Sequence, residues 1–173
     1  MKKLLTIALS ILLLSVTYSD DVVDHIREQR VARVQACTQA KDNYQNWIND
    51  RYYINQNFIA RCATYMHLVY AYESNFGASN RCINHNNCFG IKEPTATDVL
   101  DGIQYTIADS RFLIFNTKQN GNQVFANLYA RWHMNKHIET FVYNRSTTHS
   151  NTYISFLRDH YWGLYTYYLS LNN

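Results

Sequence analysis

Residues 54–92 read INQNFIARCATYMHLVYAYESNFGASNRCINHNNCFGIK. Phe58, Cys62, Met66, Val69 and Glu73 recur in steps of four, four, three and four. That spacing places them on one face of a helix. The first four are apolar, so the face is one that buries itself. Glu73 continues the face at the helix C-terminus, and Gly77 with the Asn-rich run after it supplies the stop. A polar loop bracketed by Cys82 and Cys88 follows, and then the short apolar stretch Phe89-Gly90-Ile91-Lys92. A carboxylate at the end of a buried helix face is disfavoured in its charged form by burial and by the negative end of the helix dipole. Both effects raise its pKa, which is what a general acid for glycoside cleavage requires. The plain alternative for Glu73 is a surface residue at a frayed helix end.

Upstream, Lys2 and Lys3 precede an apolar run, Leu4–Val16, and Thr17 and Ser19 are small residues before a cut after Ser19. Residues 1–19 therefore read as a secretory signal peptide, with an uncleaved membrane anchor as the alternative. The run is shorter than the roughly 20 apolar residues that span a bilayer. The rest of the chain suits one core. The formal net charge of +3 falls to about +1 without Lys2 and Lys3, which gives no electrostatic footprint for nucleic acid. Fifteen Tyr make the chain rich in rings. Such rings pack with their hydroxyls at water or a partner, and some suit the lining of a sugar cleft.

Four Cys behind a signal peptide suggest two disulfides in an oxidising compartment, and four allow three pairings. Cys82–Cys88 is favoured because it closes a compact loop. Cys37–Cys62 then remains, tying an upstream helix to the middle of the Glu73 helix. Zinc is the rival use, but the chain has no C-x2-C or H-E-x2-H spacing, so no metal and no cofactor is expected. Residues 20–54 read as a polar helical extension with Val23, Ile26, Val31, Val34, Tyr44, Trp47 and Ile48 in loose helical spacing. Asp101-Gly102 lies between the β-prone stretches TATDVL and IQYTIADSRFLIF, a strong hairpin signal, so residues 88–116 read as a small antiparallel sheet. Helical spacing returns at Val124, Leu128 and Trp132, then at Ile138, Phe141 and Val142, and a last helix is expected from about Thr152 to Leu169. The fold class is α+β and mainly α.

A helix ending in Glu, a loop, a small sheet and further helices is the order of the lysozyme-like superfamily. AYESNFGASN followed by NNCFGIK resembles the glucosaminidase domain of bacterial autolysins and flagellar peptidoglycan hydrolases, glycoside hydrolase family 73. The resemblance covers roughly residues 55–165, in a domain drawn as 55–173. It implies a helical domain with a small β lobe flanking a cleft, and cleavage of β-1,4 bonds in peptidoglycan on the reducing side of N-acetylglucosamine. It implies Glu73 as general acid, Asp98 as the second carboxylate and Tyr153 as the late cleft tyrosine. Asp98 stands where many family members have Glu, and Phe115 where Tyr is common. Asn84, Asn86, Asn87, Phe89, Gly90 and Lys92 are the expected glycan contacts. Asn84–Asn87 and His85 also read as a plain solvated loop, Asp98 as an exposed hairpin residue and Tyr153 as a core residue. Alternatives to a glucosaminidase are a lytic transglycosylase or muramidase of the same fold, and a non-catalytic glycan-binding or wall-assembly protein. Recruitment by a secretion or division machine is a further expectation, since no wall-binding module is visible.

Overall fold

The computed structural model describes residues 20–49, 57–93, 97–108, 110–133 and 150–171. Its elements in chain order are α1 (Asp20–Asn43), α2 (Gln45–Asn49), α3 (Phe58–Ser74), α4 (Asn80–His85), a 3-10 turn (Thr97–Leu100), β1 (Tyr105–Ile107), β2 (Leu113–Phe115), α5 (Lys118–Leu128), a π-helical turn (Tyr129–His133) and α6 (Ser150–Ser170). The described residues are thus mainly α with one small antiparallel sheet, as the periodicity predicts. The expected signal peptide and the spacing at Ile138, Phe141 and Val142 lie outside the described residues.

Helix α3 is the axis of the fold. The predicted face is buried: Phe58 is 1% exposed, and Cys62, Met66 and Val69 are fully buried. Ala60, Ala63 and Leu68, on other faces, are buried as well, and so is Tyr65. A helix buried nearly all round must be surrounded by other elements. Helix α6 covers one side through ring contacts, with Tyr65–Tyr161 centroids 5.2 Å apart and Tyr72–Phe156 centroids 5.5 Å apart. His67 Nδ1 meets Tyr168 Oη at 3.2 Å, and burial pulls the His67 pKa down to about 4. The Cys37–Cys62 disulfide fastens α1 to α3, and Cys82–Cys88 closes the loop after α4, both as expected from the sequence.

The helix stops one step earlier than its glycine suggests. Asn75 and Phe76 both take left-handed backbone, with φ of 49° and 54°. The Asn75 N–H donates to Ala71 O. Ser74 Oγ donates to Tyr70 O and accepts from the Gly77 N–H at 2.8 Å. Gly77, at φ 89°, is held against the Tyr70 hydroxyl so closely that a Cβ would overlap it.

The chain divides at Ala32 into two units, and the second unit, from Arg33, contains the core. Within the first, Ile26 and Val31 are exposed, so these two do not form the packing stripe expected of them. In the second, α1 buries Ala36, Cys37 and Ala40 instead. Small side chains allow the close approach that the disulfide requires.

The sheet differs from the expected hairpin in position. TATDVL does not form a strand; Thr97–Leu100 is a 3-10 turn. The Ile103 N–H donates to Leu100 O at 3.0 Å across Asp101-Gly102. Gly102 has φ +69°, while Asp101 is not among the residues with positive φ. A single positive φ at the second central position is the type II pattern, whereas the I′ turn that matches strand twist needs two. The Asp-Gly pair therefore turns the chain without pairing its flanks. The hairpin lies just downstream: Tyr105 pairs with Phe115, Thr106 with Ile114 and Ile107 with Leu113. Its turn carries Arg111 at φ +64°. On the other side of β2, Leu113 N–H donates to Ile91 O at 3.0 Å and Lys92 bridges Phe112, so the Gly-Ile-Lys stretch adds a short third row.

Candidate active site

Glu73 occupies the last turn of α3, half-buried, and its Oε1 is shut off from solvent. Facing it is Gly90, whose φ of +64° lies in the left-handed region. A Cβ on Gly90 would stand 3.7 Å from Glu73 Oε2, 3.2 Å from Arg81 Nη1 and 3.8 Å from Phe112 Cε1. Four segments thus converge on one corner: the end of α3, α4, the Gly-Ile-Lys row and the strand next to it. Arg81 Cζ lies 3.8 Å from the centroid of the Phe112 ring, and Lys92 Nζ lies 4.5 Å from the same centroid. The corner combines a partly enclosed carboxylate with two cations braced on an aromatic ring.

The loop that carries Gly90 is fixed by Asn87. Its Oδ1 accepts the Ile91 N–H at 2.9 Å, and its Nδ2 donates to Ile91 O at 2.9 Å and to Leu113 O at 2.7 Å. Asn87 is 1% exposed, with both amide hydrogens used. It is a structural peg and not the sugar contact expected from the sequence. Phe89 is corrected in the same way: it is 1% exposed, with its ring 4.5 Å from that of Phe125. Asn86 takes left-handed backbone at φ 52°, and its Nδ2 donates to Phe115 O at 2.9 Å. A Cβ on Gly121 would sit 2.6 Å from Asn86 O, so α5 packs here on bare backbone. Of the expected glycan contacts, Asn84 and Lys92 are exposed and Gly90 faces the corner.

Asp98 has a different setting. It is the second residue of the 3-10 turn, and its Oδ2 accepts from Arg131 Nε at 2.9 Å and from the Tyr44 hydroxyl at 3.3 Å. The Asp98 and Arg131 side chains are 45% and 38% exposed. Tyr44 is pushed up to about 12, first by burial and then by the Asp98 charge beside it. Behind this turn Asn127 Nδ2 donates to Val99 O at 3.0 Å, which joins it to α5. No hydrogen bond or ion pair joins Asp98 to Glu73 among the described residues. Tyr153 lies in the first turn of α6, and its side chain is outside the described part of the structure.

A separate cleft of about 400 Å³ opens between α3 and α6, lined in part by His67, Leu68, Phe76, Phe156, Asp159 and His160. Its α3 residues lie on a different face from Glu73. Among the described residues no group of three or more His, Cys, Asp or Glu could hold a metal ion. Likewise, no described helix is long and apolar enough to cross a membrane.

Arg81 and Arg131 escaped the sequence reading, and Phe112 was read only as part of a strand. Arg81 is inside the quoted stretch, but its pairing with Phe112 joins residues far apart in sequence and leaves no local pattern. Compared with protein-family models, curated proteins and solved structures, the chain shows no match.

Proposed function

We propose that the protein is an exported glycoside hydrolase of the lysozyme-like kind. Its substrate is peptidoglycan, its activity that of an endo-β-N-acetylglucosaminidase, and Glu73 is its general acid. The observation that carries this reading is the corner at Gly90. The end of a buried helix presents Glu73 to Gly90, whose lack of a side chain lets Glu73, Arg81 and Phe112 gather around one point. Rigid elements on both sides hold the geometry that proton transfer to a leaving oxygen needs. The two disulfides fit an oxidising compartment, in keeping with export.

A second reading is favoured by Asp98. Its carboxylate is already engaged by Arg131 and Tyr44. A paired-carboxylate mechanism asks for a partner about 5–5.5 Å from the acid when the configuration is retained, or about 6.5–9.5 Å when it is inverted. A single-acid route, by a lytic transglycosylase or with help from the substrate's own acetamido group, asks for no such partner.

Digestion of purified peptidoglycan by the full chain, with borohydride reduction and mass spectrometry of the products, tests both. Reduced N-acetylglucosamine ends support the glucosaminidase. Reduced muramic ends move the assignment to a muramidase, and anhydro-muramic ends to a transglycosylase. Absence of products with retained glycan binding overturns the enzymatic reading in favour of a binding or assembly role.

A further inference from the structure

Arg81 is braced on an aromatic ring. Its guanidinium lies over the Phe112 ring, 3.8 Å from the centroid. Stacking of that kind uses the flat face of the group and leaves its edge N–H donors for acceptors in the plane. One edge nitrogen, Nη1, is within 3.2 Å of the point a Gly90 Cβ would occupy, the same point that Glu73 Oε2 approaches to 3.7 Å. Arg81 is half-buried, and no ion pair joins it to a carboxylate among the described residues. Lys92 reaches the same ring from the neighbouring row, 4.5 Å from its centroid. Positive charge is therefore concentrated beside a carboxylate that a hydrolase would need, around a glycine whose missing side chain lets these groups approach.

We propose that Arg81, braced by Phe112 and supported by the charge of Lys92, binds a carboxylate of the substrate next to the bond at Glu73. The substrate class is then an acidic glycan: one whose sugar, or a peptide attached to it, carries a carboxylate. This rests on the reading of the corner as a glycan site, and it adds Arg81 as the residue that sets specificity. An arginine fork suits a carboxylate because two parallel N–H donors match its two oxygens. Neutral chitin-type oligosaccharides offer nothing to this fork.

Binding is measured on the full chain carrying Glu73→Gln, so that recognition is read apart from cleavage. Three ligands are compared at low salt: a neutral chitin oligosaccharide, a peptide-free glycan with free lactyl carboxylates, and a peptide-bearing glycan. The acidic ligands are expected to bind about tenfold tighter than the neutral one, the scale of a hydrogen bond to a charged group. That gap narrows with added salt. Adding Arg81→Gln removes the gap, and Arg81→Lys restores part of it by returning the charge without the fork. A gap already present with the peptide-free glycan assigns the carboxylate to the sugar. A gap confined to the peptide-bearing glycan assigns it to the peptide. Equal affinity for all three ligands overturns the proposal, as does a gap that survives Arg81→Gln in a protein of unchanged melting temperature, or no binding at all. Absence of cleavage by the native chain, with the Arg81-dependent gap present, removes the hydrolase and leaves the receptor standing.

Discussion

Glu73 and Asp98 are two carboxylates that the sequence offered as a pair, and the fold treats them differently. Glu73 sits at the end of the central helix, with one oxygen shut off from solvent and the other beside Gly90. Asp98 sits nearly half exposed, with one oxygen shared by a guanidinium and a phenol. Each also has a glycine of positive φ nearby in the chain or in space, Gly90 at +64° and Gly102 at +69°. A Cβ on Gly90 meets three side chains, whereas a Cβ on Gly102 meets nothing within 4 Å. The contrast separates a built corner from a turn that needs glycine for its backbone alone. It teaches that acidic identity and order along the chain do not define a catalytic pair; the surroundings of each group do.

The strongest way to break the contrast is to remove the peg that holds the first corner. Asn87→Ala removes the partner of the buried Ile91 N–H and of Leu113 O, while Ile91 O keeps the Leu113 N–H. At roughly 1–3 kcal/mol per buried unsatisfied group, with relaxation recovering part, a loss of about 3 kcal/mol is expected in denaturant unfolding. A change below about 1 kcal/mol would mean that the loop beside Glu73 is not held in this way.

Next come the glycines, as a matched pair. Alanine at either position incurs the left-handed backbone cost of about 1–2 kcal/mol. Gly90→Ala is expected in addition to push Arg81 aside and to weaken glycan binding. Gly102→Ala should leave binding intact. Equal binding by the two variants would show that the groups gathered at Gly90 take no part in binding.

The smallest effect is expected at Asp98. Asp98→Asn removes an exposed ion pair with Arg131, worth under about 1 kcal/mol and screened by salt. It also removes one cause of the high Tyr44 pKa, so spectroscopic titration should find Tyr44 moving from about 12 toward 10.0, with burial keeping it above that value. The sign follows from the raised folded value. The stability that Tyr44 contributes is fully present below pH 10 and is lost as pH rises through about 12. An unmoved Tyr44 would place Asp98 away from it.

The α3 face was legible because a buried helix writes its contacts at intervals of three and four, and Phe58, Cys62, Met66 and Val69 are all in the core. Both disulfides were legible from loop length and remainder. The hairpin was displaced because Asp-Gly signals a turn without saying which turn; only the sign of φ at Asp101 decides whether strands follow. The contact residues were misread for a related reason. An asparagine beside a glycine row serves a sugar or a backbone equally well by type, and the burial of Asn87 comes from β2, which is remote in sequence. Arg81 on Phe112 is invisible to any local pattern.

The most direct test of the account compares initial rates of peptidoglycan cleavage by the native chain, Glu73→Gln and Asp98→Asn under one set of conditions. Loss of the general acid is expected to cost about 10²–10⁴-fold in Glu73→Gln, while Asp98→Asn stays within about tenfold of the native rate. Retention of activity by Glu73→Gln, or a loss in Asp98→Asn as deep as that in Glu73→Gln, would contradict the division of roles drawn between the two carboxylates.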